Sequence, residues 1–293
     1  MPQLLTLEQT EALLDLQGHE PCPGVEIELK RKIGSIAGGP ELYAAIYRPS
    51  TVAATPAPAL LAFHGGGWEN GAPESYGEMA KMLALSLGMI TVSVSYRLAD
   101  AHNPTFPYIL DEASHAWQWL QTHATELGIN PQQVAVTGAS AGVFQATHLA
   151  VDSPLVSFSA STSRPAALIA NWGPLDFVAR WFDKHENPGA ERTMLGTDYQ
   201  RNPALYHRSS PITYMHGDLP PALFIYGRQD RTVHARQGAI GHAAWQAADA
   251  HSELIVVDNI GHDIVGDNRA QRAEYLQAAV GFLEARLLPQ SRV

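Results

Sequence analysis

The sequence predicts a single α/β domain, residues 1–293, in which helices cover both faces of a mostly parallel β-sheet. Three observations support this prediction. Short apolar runs alternate with stretches of helical periodicity between residues 59 and 287. A length of 293 residues suits one large α/β domain. The composition, 45% hydrophobic and 16% charged, is ordinary for a globular protein that buries a large core.

Net charge, cysteine count and the absence of long apolar runs exclude several classes of protein. The formal net charge of −10 argues against nucleic acids and anionic membrane surfaces. The one cysteine, Cys22, excludes an internal disulfide framework. The first residues lack the basic and apolar regions of a signal peptide, and no apolar run is as long as a membrane span. We therefore expect a cytoplasmic protein; its oligomeric state stays open, with a homodimer as one option.

The N-terminal part is predicted to be a helix and loop over residues 1–24, followed by a β-hairpin. Thr6 and Gln9 have the spacing of a capping box, and Gly18 is placed to end the helix. The two strands of the hairpin are predicted at Val25–Ile36 and Leu42–Tyr47.

The alternation of strands and helices begins at Ala59. The predicted strands are Ala59–Phe63, Met89–Val94, Val134–Thr137, Ala166–Trp172, Ala222–Tyr226 and Leu254–Val257. The predicted helices are Tyr76–Leu87, Tyr108–Leu127, Val143–Val151, His234–Ala250 and Arg269–Leu287. Gly88 is placed to cap the first of these helices.

Residues 175–216 interrupt this alternation after the strand that ends near Trp172. A connection of that length is usually functional, and we expect a lid over the carboxyl edge of the sheet, where α/β folds bind ligands. Its aromatic side chains form either the lid's own small core or part of the substrate pocket. The candidates for substrate contact are Phe177, Trp181, Phe182 and Tyr206, together with Trp68 from an earlier loop.

Val134–Gly142, which reads VAVTGASAG, carries the first chemical signal. A buried strand leads into Gly138-Ala139-Ser140-Ala141-Gly142 and then into a helix, which is the layout of a nucleophile elbow. Ser140 would stand at a helix N-terminus, where free N–H groups favour a developing negative charge. The N–H of Ala141, the residue after the nucleophile, is expected to donate to that charge.

A nucleophilic serine needs a histidine base, which a carboxylate orients. In this fold class the acid and then the histidine follow the serine along the chain. Asp230 and His262 meet this requirement, because each follows a predicted late strand. The rival acids are Asp218, Asp258 and Asp263, and the rival histidines include His234, His242 and His251.

A second glycine-rich loop, His64–Trp68, follows an early apolar strand and reads HGGGW. Glycines allow backbone amides to converge on a ligand, so this loop is expected to supply further donors for an oxyanion. The combination of this loop with the elbow and two strand-end residues is far more specific than the elbow alone.

These motifs resemble the α/β-hydrolase superfamily and, within it, esterases that carry the HGG(G)W run. The resemblance includes the hormone-sensitive-lipase-like, feruloyl/acetyl-esterase-like and arylformamidase-like branches. The segments that carry it are HGGGW at 64–68, SYRLA at 95–99, NPQQVAVTGASAG at 130–142, SPIT at 210–213, YGRQDRTV at 226–233 and GHD at 261–263.

The resemblance implies that Ser140, Asp230 and His262 form a catalytic triad. It also implies that the amides of Gly66, Gly67 and Ala141 form the oxyanion hole. Two positions depart from the hormone-sensitive-lipase-like pattern. Ala139 stands where an Asp is usual, which favours the other two branches, and Val143 stands where a Gly is usual.

The sequence thus predicts a serine carboxylic-ester hydrolase that acts on short-chain or aryl esters through an acyl-enzyme on Ser140. The expected partner is a small ester, without nucleic acid or membrane, and no metal or other cofactor is implied. An aryl-formamide amidohydrolase with the same triad is the nearest alternative. A non-catalytic binding protein on the same fold and a lipase acting at interfaces are further alternatives.

Overall fold

The computed structural model describes residues 4–14, 16–51, 55–159, 162–183, 189–262 and 269–288. Its centre is an eight-stranded sheet with the order β1-β2-β4-β3-β5-β6-β7-β8. The strands are β1 Val25–Gly34, β2 Leu42–Pro49, β3 Ala57–Phe63, β4 Ile90–Val94, β5 Ile129–Ala139, β6 Leu168–Asn171, β7 Ala222–Gly227 and β8 Ser252–Val257.

Pairing in the sheet is antiparallel at one side and parallel over the rest. β1 and β2 form the predicted hairpin, and β2 also runs antiparallel to β4. From β4 through β3 to β8, every neighbouring pair is parallel. Parallel strands end at one edge, so the loops after β3, β5, β7 and β8 lie along a common edge of the sheet. The predicted mostly parallel α/β architecture is confirmed.

Helices pack on both faces of the sheet. They are α1 Leu7–Leu13, α2 Gly77–Leu87, α3 Tyr108–Thr122, α4 Ala124–Leu127, α5 Val143–Ala150, α6 Phe177–Phe182, α7 Gly189–Leu195, α8 Pro203–Ser209, α9 Arg236–Ala247 and α10 Arg269–Leu287. Successive β3 side chains point to opposite faces. Leu61 and Phe63 belong to the core with α3, α5 and α9, whereas Leu60 and Ala62 belong to the core with α2 and α10. No helix within the described ranges is long and apolar enough to cross a membrane.

Helix ends follow local hydrogen bonding. The predicted capping box of Thr6 and Gln9 is present, and Gly88 caps α2 in the left-handed conformation, as predicted. The first helix ends at Leu13 and not at Gly18, because the N–H of Leu14 closes the last turn on the Glu11 carbonyl.

The predicted helix Tyr108–Leu127 is two helices. His123 leaves the helical conformation, with φ −100° and ψ 9°, and ends α3. Its Nδ1 lies 2.8 Å from the Trp119 carbonyl oxygen, and its ring stacks on the Trp119 ring. This local contact competes with continuation of the helix, so α4 begins separately at Ala124.

Residues 175–216 contain α6, α7, α8 and a 3₁₀ turn at Pro211–Tyr214. Helices this short cannot bury their apolar surface alone, and their aromatic rings therefore pack together. Tyr206 is fully buried, with its ring centroid 5.8 Å from that of Trp181 and 5.7 Å from that of Tyr199. Arg180, Ala190 and Glu191 of this segment border the cavity described below.

Candidate active site

Ser140 stands at the sharp junction between β5 and α5. Its φ of +49° is the left-handed conformation that only a few non-glycine residues adopt. A β-carbon on Gly138 would lie 2.2 Å from the Gly142 carbonyl, and one on Gly142 would lie 2.0 Å from the Phe63 oxygen. Both flanking positions therefore require glycine, and the turn they permit raises the serine above the sheet.

The Ser140 hydroxyl faces His262, which follows β8. Ser140 Oγ lies 2.8 Å from His262 Nε2, and His262 Nδ1 lies 2.8 Å from Asp230 Oδ2. The tautomer that satisfies both contacts donates Nδ1–H to the carboxylate and accepts the serine proton at Nε2. The Asp230 side chain is fully buried, whereas the His262 side chain is 18% exposed.

Asp230 is held by backbone amides as well as by the histidine. Its Oδ1 accepts hydrogen bonds from the N–H groups of Thr232 and Val233, at 2.8 and 2.7 Å. The loops that carry the acid and the base are also joined, since the Gln229 N–H donates to the Ile260 carbonyl at 2.9 Å. The carboxylate is thus fixed before any substrate binds.

Two other serine–histidine pairs have the same short contact but a different setting. His148 Nδ1 lies 2.8 Å from Ser153 Oγ, and its Nε2 faces the Ser209 carbonyl. Burial lowers the pKa of His148 to about 4. His242 Nδ1 lies 2.8 Å from Ser252 Oγ, away from the cavity. Within the described part of the chain, the Ser140 pair is the one of these three that combines a carboxylate with access to the cavity.

The rival acids and bases lie elsewhere. Asp258 is exposed and paired with Arg228, and Asp218 is exposed beside Arg164. Asp263 lies outside the described residues. The remaining rival histidines have other contacts: His234 with the Arg236 N–H, His242 with Ser252 and His251 with Glu253.

We call His64–Trp68 the glycine loop. It follows β3, and its residues Gly65–Trp68, together with Ser140 and Ala141, line a cavity of about 470 Å³. Gly66 and Gly67, predicted as oxyanion donors, are both on this wall, and the fully buried Trp68 also borders the cavity.

The cavity wall also contains residues that the sequence did not predict. Tyr275, Leu276 and Arg272 come from α10, and Trp172 follows β6. Further lining residues are Tyr76, Glu78, Met79, Asn171, Pro174, Arg180, Glu191, Thr232 and Val233. Trp172 could have been found, because it ends a predicted strand next to the elbow strand. Nothing local in the sequence points the α10 side chains towards the serine.

Four of the five predicted substrate contacts do not line the cavity. Phe177 is buried against Phe144 with ring centroids 5.5 Å apart, and Phe182 is 68% exposed. Trp181 and Tyr206 belong to the aromatic core of segment 175–216. The rings of all four pack on other aromatic side chains and do not border the cavity in this structure, and substrate contact by these residues stays a prediction.

Val143, flagged as unusual in the sequence, is fully buried and is not part of the cavity wall. It packs against Gly173, where a β-carbon would lie 2.2 Å from Val143 Cβ. Its extra bulk is accommodated by a glycine on the neighbouring loop and does not reduce the cavity.

The charged groups in the cavity wall are paired. Arg180 donates to Glu191 and to the Thr232 carbonyl, and Arg272 donates to Glu78. The charge of each arginine is largely compensated by its carboxylate partner, so the wall carries no strong excess of either sign.

Comparison with known proteins supports this architecture. The BD-FAE family model matches residues 45–244, which include Ser140 and Asp230 and end before His262. Esterase LipQ of Mycobacterium tuberculosis is 29% identical over 210 residues, covering 69% of this chain and 49% of the relative. Ethyl acetate hydrolase of Pseudomonas putida is 35% identical over 144 residues, covering 49% of this chain and 43% of the relative. The chain thus spans about half the length of these relatives.

Solved structures share the fold. A truncated carbohydrate esterase from gut microbiota has a TM-score of 0.78 at 18% identity, over 92% of this chain and 99% of that one. A bacterial heroin esterase has a TM-score of 0.75 at 23% identity, and the match covers 93% of this chain and 87% of that one. At these identities the likeness establishes the fold alone. The chain has the α/β-hydrolase fold, and since the family match covers more than half of its length, it belongs to the BD-FAE family.

Proposed function

We propose that this protein is a serine hydrolase that cleaves small carboxylic esters through an acyl-enzyme on Ser140. The observation that carries the proposal is the hydrogen-bonded series of Ser140, His262 and Asp230 at the wall of the cavity. The relatives in the comparison are named esterases or ester hydrolases, which agrees with this chemistry.

In the proposed reaction, Ser140 Oγ attacks the ester carbonyl carbon while its proton moves to His262 Nε2. The carbonyl π pair moves to oxygen and forms a tetrahedral oxyanion. Collapse of the oxyanion breaks the bond to the alcohol, which leaves with the proton from His262. Water then attacks the acyl-enzyme with His262 again as base, and the acid leaves. Asp230 holds the tautomer that both steps need and stabilises the imidazolium.

The proposed oxyanion donors are the backbone amides of Gly66, Gly67 and Ala141. Their support is that all three residues border the cavity beside Ser140. Ser140 also begins the 3₁₀ turn that leads into α5, and the first N–H groups of a helix have no partner within the helix and favour negative charge. Removal of one such donor typically costs about 10²–10³-fold in kcat.

We propose uncharged short-chain or aryl esters as the substrate class. A cavity of about 470 Å³ accommodates a small molecule, and its two arginines already have carboxylate partners. A charged substrate would have to compete with these pairs. A cytoplasmic location stays a prediction from the sequence, and the oligomeric state stays open.

The test compares wild-type protein with Ser140→Ala on short p-nitrophenyl esters and on aromatic formamides. We expect ester kcat/KM to exceed formamide kcat/KM in the wild type and both to fall by at least 10⁴-fold in the variant. A fluorophosphonate, which phosphonylates an activated serine, should label the wild type and not Ser140→Ala.

Ser252→Ala is the matched control, since it also removes a 2.8 Å serine–histidine contact but lies away from the cavity. It should keep both turnover and labelling. Turnover retained by folded Ser140→Ala would overturn the proposal. If kcat/KM is higher for formamides than for esters, Ser140 remains the proposed nucleophile but the protein is an amidohydrolase.

A further inference from the structure

The loop that follows β4, residues 95–99, contacts the glycine loop at both of its ends. The Tyr96 hydroxyl donates to the His64 carbonyl at 2.7 Å. The Ala99 N–H donates to the Trp68 carbonyl, also at 2.7 Å. The three glycines between these carbonyls have no side chains with which to pack, so these two bonds add to the backbone hydrogen bonds within this stretch in restricting its conformation.

The Tyr96 contact combines stacking with the hydrogen bond. The rings of Tyr96 and His64 lie 4.1 Å apart at 14°, and both residues are buried. Burial raises the pKa of Tyr96, so its hydroxyl stays a donor at neutral pH. Burial lowers the pKa of His64 to about 4, so its ring is neutral there. The His64 carbonyl therefore faces a permanent donor.

The 95–99 loop is itself fixed to α3. The backbone N–H and the Nε of Arg97 donate to the two carboxylate oxygens of Glu112, at 2.8 and 2.7 Å. The Glu112 side chain is fully buried, and the Arg97 side chain is 17% exposed. The ion pair and the backbone hydrogen bond together hold both oxygens of a buried carboxylate, which fixes the arrangement of the loop from which Tyr96 projects.

We propose that Tyr96 is a positioning residue that holds the glycine loop in the arrangement needed for its amides to face the oxyanion. This inference rests on the proposed function. Oxyanion stabilisation depends on donors that are already in place, because reorientation during the reaction would cost part of the gain. Tyr96 touches neither the substrate nor Ser140 in this scheme and acts through the His64 carbonyl.

The test is Tyr96→Phe, which removes the hydroxyl and keeps the stacked ring. We expect kcat on short p-nitrophenyl esters to fall about 10-fold, part of the 10²–10³-fold loss for a whole donor, with KM changed less than twofold. Binding of a trifluoromethyl ketone should weaken by the same factor as kcat/KM. In its adduct Ser140 Oγ bonds to the ketone carbon, the carbonyl oxygen becomes an oxyanion and the serine proton passes to His262.

Tyr214→Phe is the matched control, since its hydroxyl also donates to a backbone carbonyl, that of Arg208, at 2.8 Å. It should leave kcat and inhibitor affinity unchanged. An equal loss in both variants would overturn the positioning role, because it would show a general effect on stability. Unchanged kcat in Tyr96→Phe, with normal fluorophosphonate labelling of Ser140, would overturn the positioning role while leaving the proposed function intact. Turnover in Ser140→Ala would overturn both.

If Tyr96→Phe does not fold, Glu112→Gln tests the same inference one step away. The amide nitrogen of the glutamine would face one of the two Arg97 donors, so one of the two bonds to the 95–99 loop is lost. We expect a several-fold fall in kcat at unchanged KM, with matching loss of ketone affinity. Unchanged kcat in the folded Glu112→Gln protein would then overturn the inference.

Discussion

Asp230→Asn distinguishes a triad from an incidental row of hydrogen bonds. In the wild type, Asp230 Oδ1 accepts from the Thr232 and Val233 amides, and Oδ2 accepts from His262 Nδ1. The side chain is fully buried, so water cannot replace any of these partners. An asparagine at this position must choose which end faces the two backbone donors.

The choice is forced by hydrogen-bond polarity. The asparagine oxygen must stay on the Thr232 and Val233 amides, because its NH₂ group would oppose two donors. The NH₂ group then points at His262 Nδ1, which has to become an acceptor. The proton moves to Nε2, where it blocks transfer from Ser140. The equivalent change of tautomer in a serine protease lowers kcat about 10⁴-fold, or ~5.5 kcal/mol, and we expect a similar loss here.

The assay is steady-state turnover of a short p-nitrophenyl ester, with folding checked by thermal unfolding. Asp258→Asn is the control, because Asp258 is exposed and pairs with Arg228 outside the site. We expect the control to keep wild-type kcat. A loss smaller than about 10-fold in Asp230→Asn would refute the tautomer argument.

Three further predictions concern stability. Gly173→Ala should lower Tm and kcat, since its β-carbon would lie 2.4 Å from the Ser140 carbonyl oxygen. Gly281→Ala in α10 is the control and should be neutral or stabilising, because its β-carbon would have no neighbour within 4 Å. Equal Tm values for the two variants would contradict this prediction. Burial lowers the pKa of His64 and His148 to about 4, so the unfolded chain binds protons first as pH falls below 6.5. Each of these two histidines should therefore lower the free energy of unfolding by about 2 kcal/mol at pH 5 relative to pH 7, as measured by urea titration. A urea midpoint that is the same at both pH values would disprove this. Ser140→Gly should unfold at a higher temperature than Ser140→Ala, because φ is +49° at this position and only glycine adopts that conformation without a β-carbon clash. A higher Tm for Ser140→Ala would exclude strain at this residue.

The sequence predicted what depends on chain order and local turn chemistry. Ser140, Asp230 and His262 each follow a strand of the parallel part of the sheet, and parallel strands bring their carboxyl ends to one edge. The structure places His262 within hydrogen-bond distance of both Ser140 and Asp230. Their identification needed no knowledge of side-chain packing.

The sequence could not predict the cavity wall, because packing decides which side chains reach it. Tyr275 and Leu276 lie on α10, whose position over the cavity depends on how the last helix crosses the sheet. The aromatic side chains of Phe177 and Trp181 suggested a substrate pocket, but Phe177 packs on Phe144 of α5 and Trp181 packs on Tyr206 within segment 175–216. Aromatic content indicates that surface is buried and does not say against what.

Backbone strain around the cavity links these observations. Trp68, Ser140 and Trp172 all have positive φ values, 62°, 49° and 43°, and all three border the cavity. Each such conformation costs on the order of 1–3 kcal/mol and persists only where the surroundings determine it. The Ala99 N–H fixes the Trp68 carbonyl, and the Trp172 N–H donates to the Ile225 carbonyl at 2.7 Å. Hydrogen bonds from the sheet and from the 95–99 loop thus stabilise this strained backbone. A substitution far from the serine that removes one of them can therefore disorder the site without altering any residue that touches the substrate.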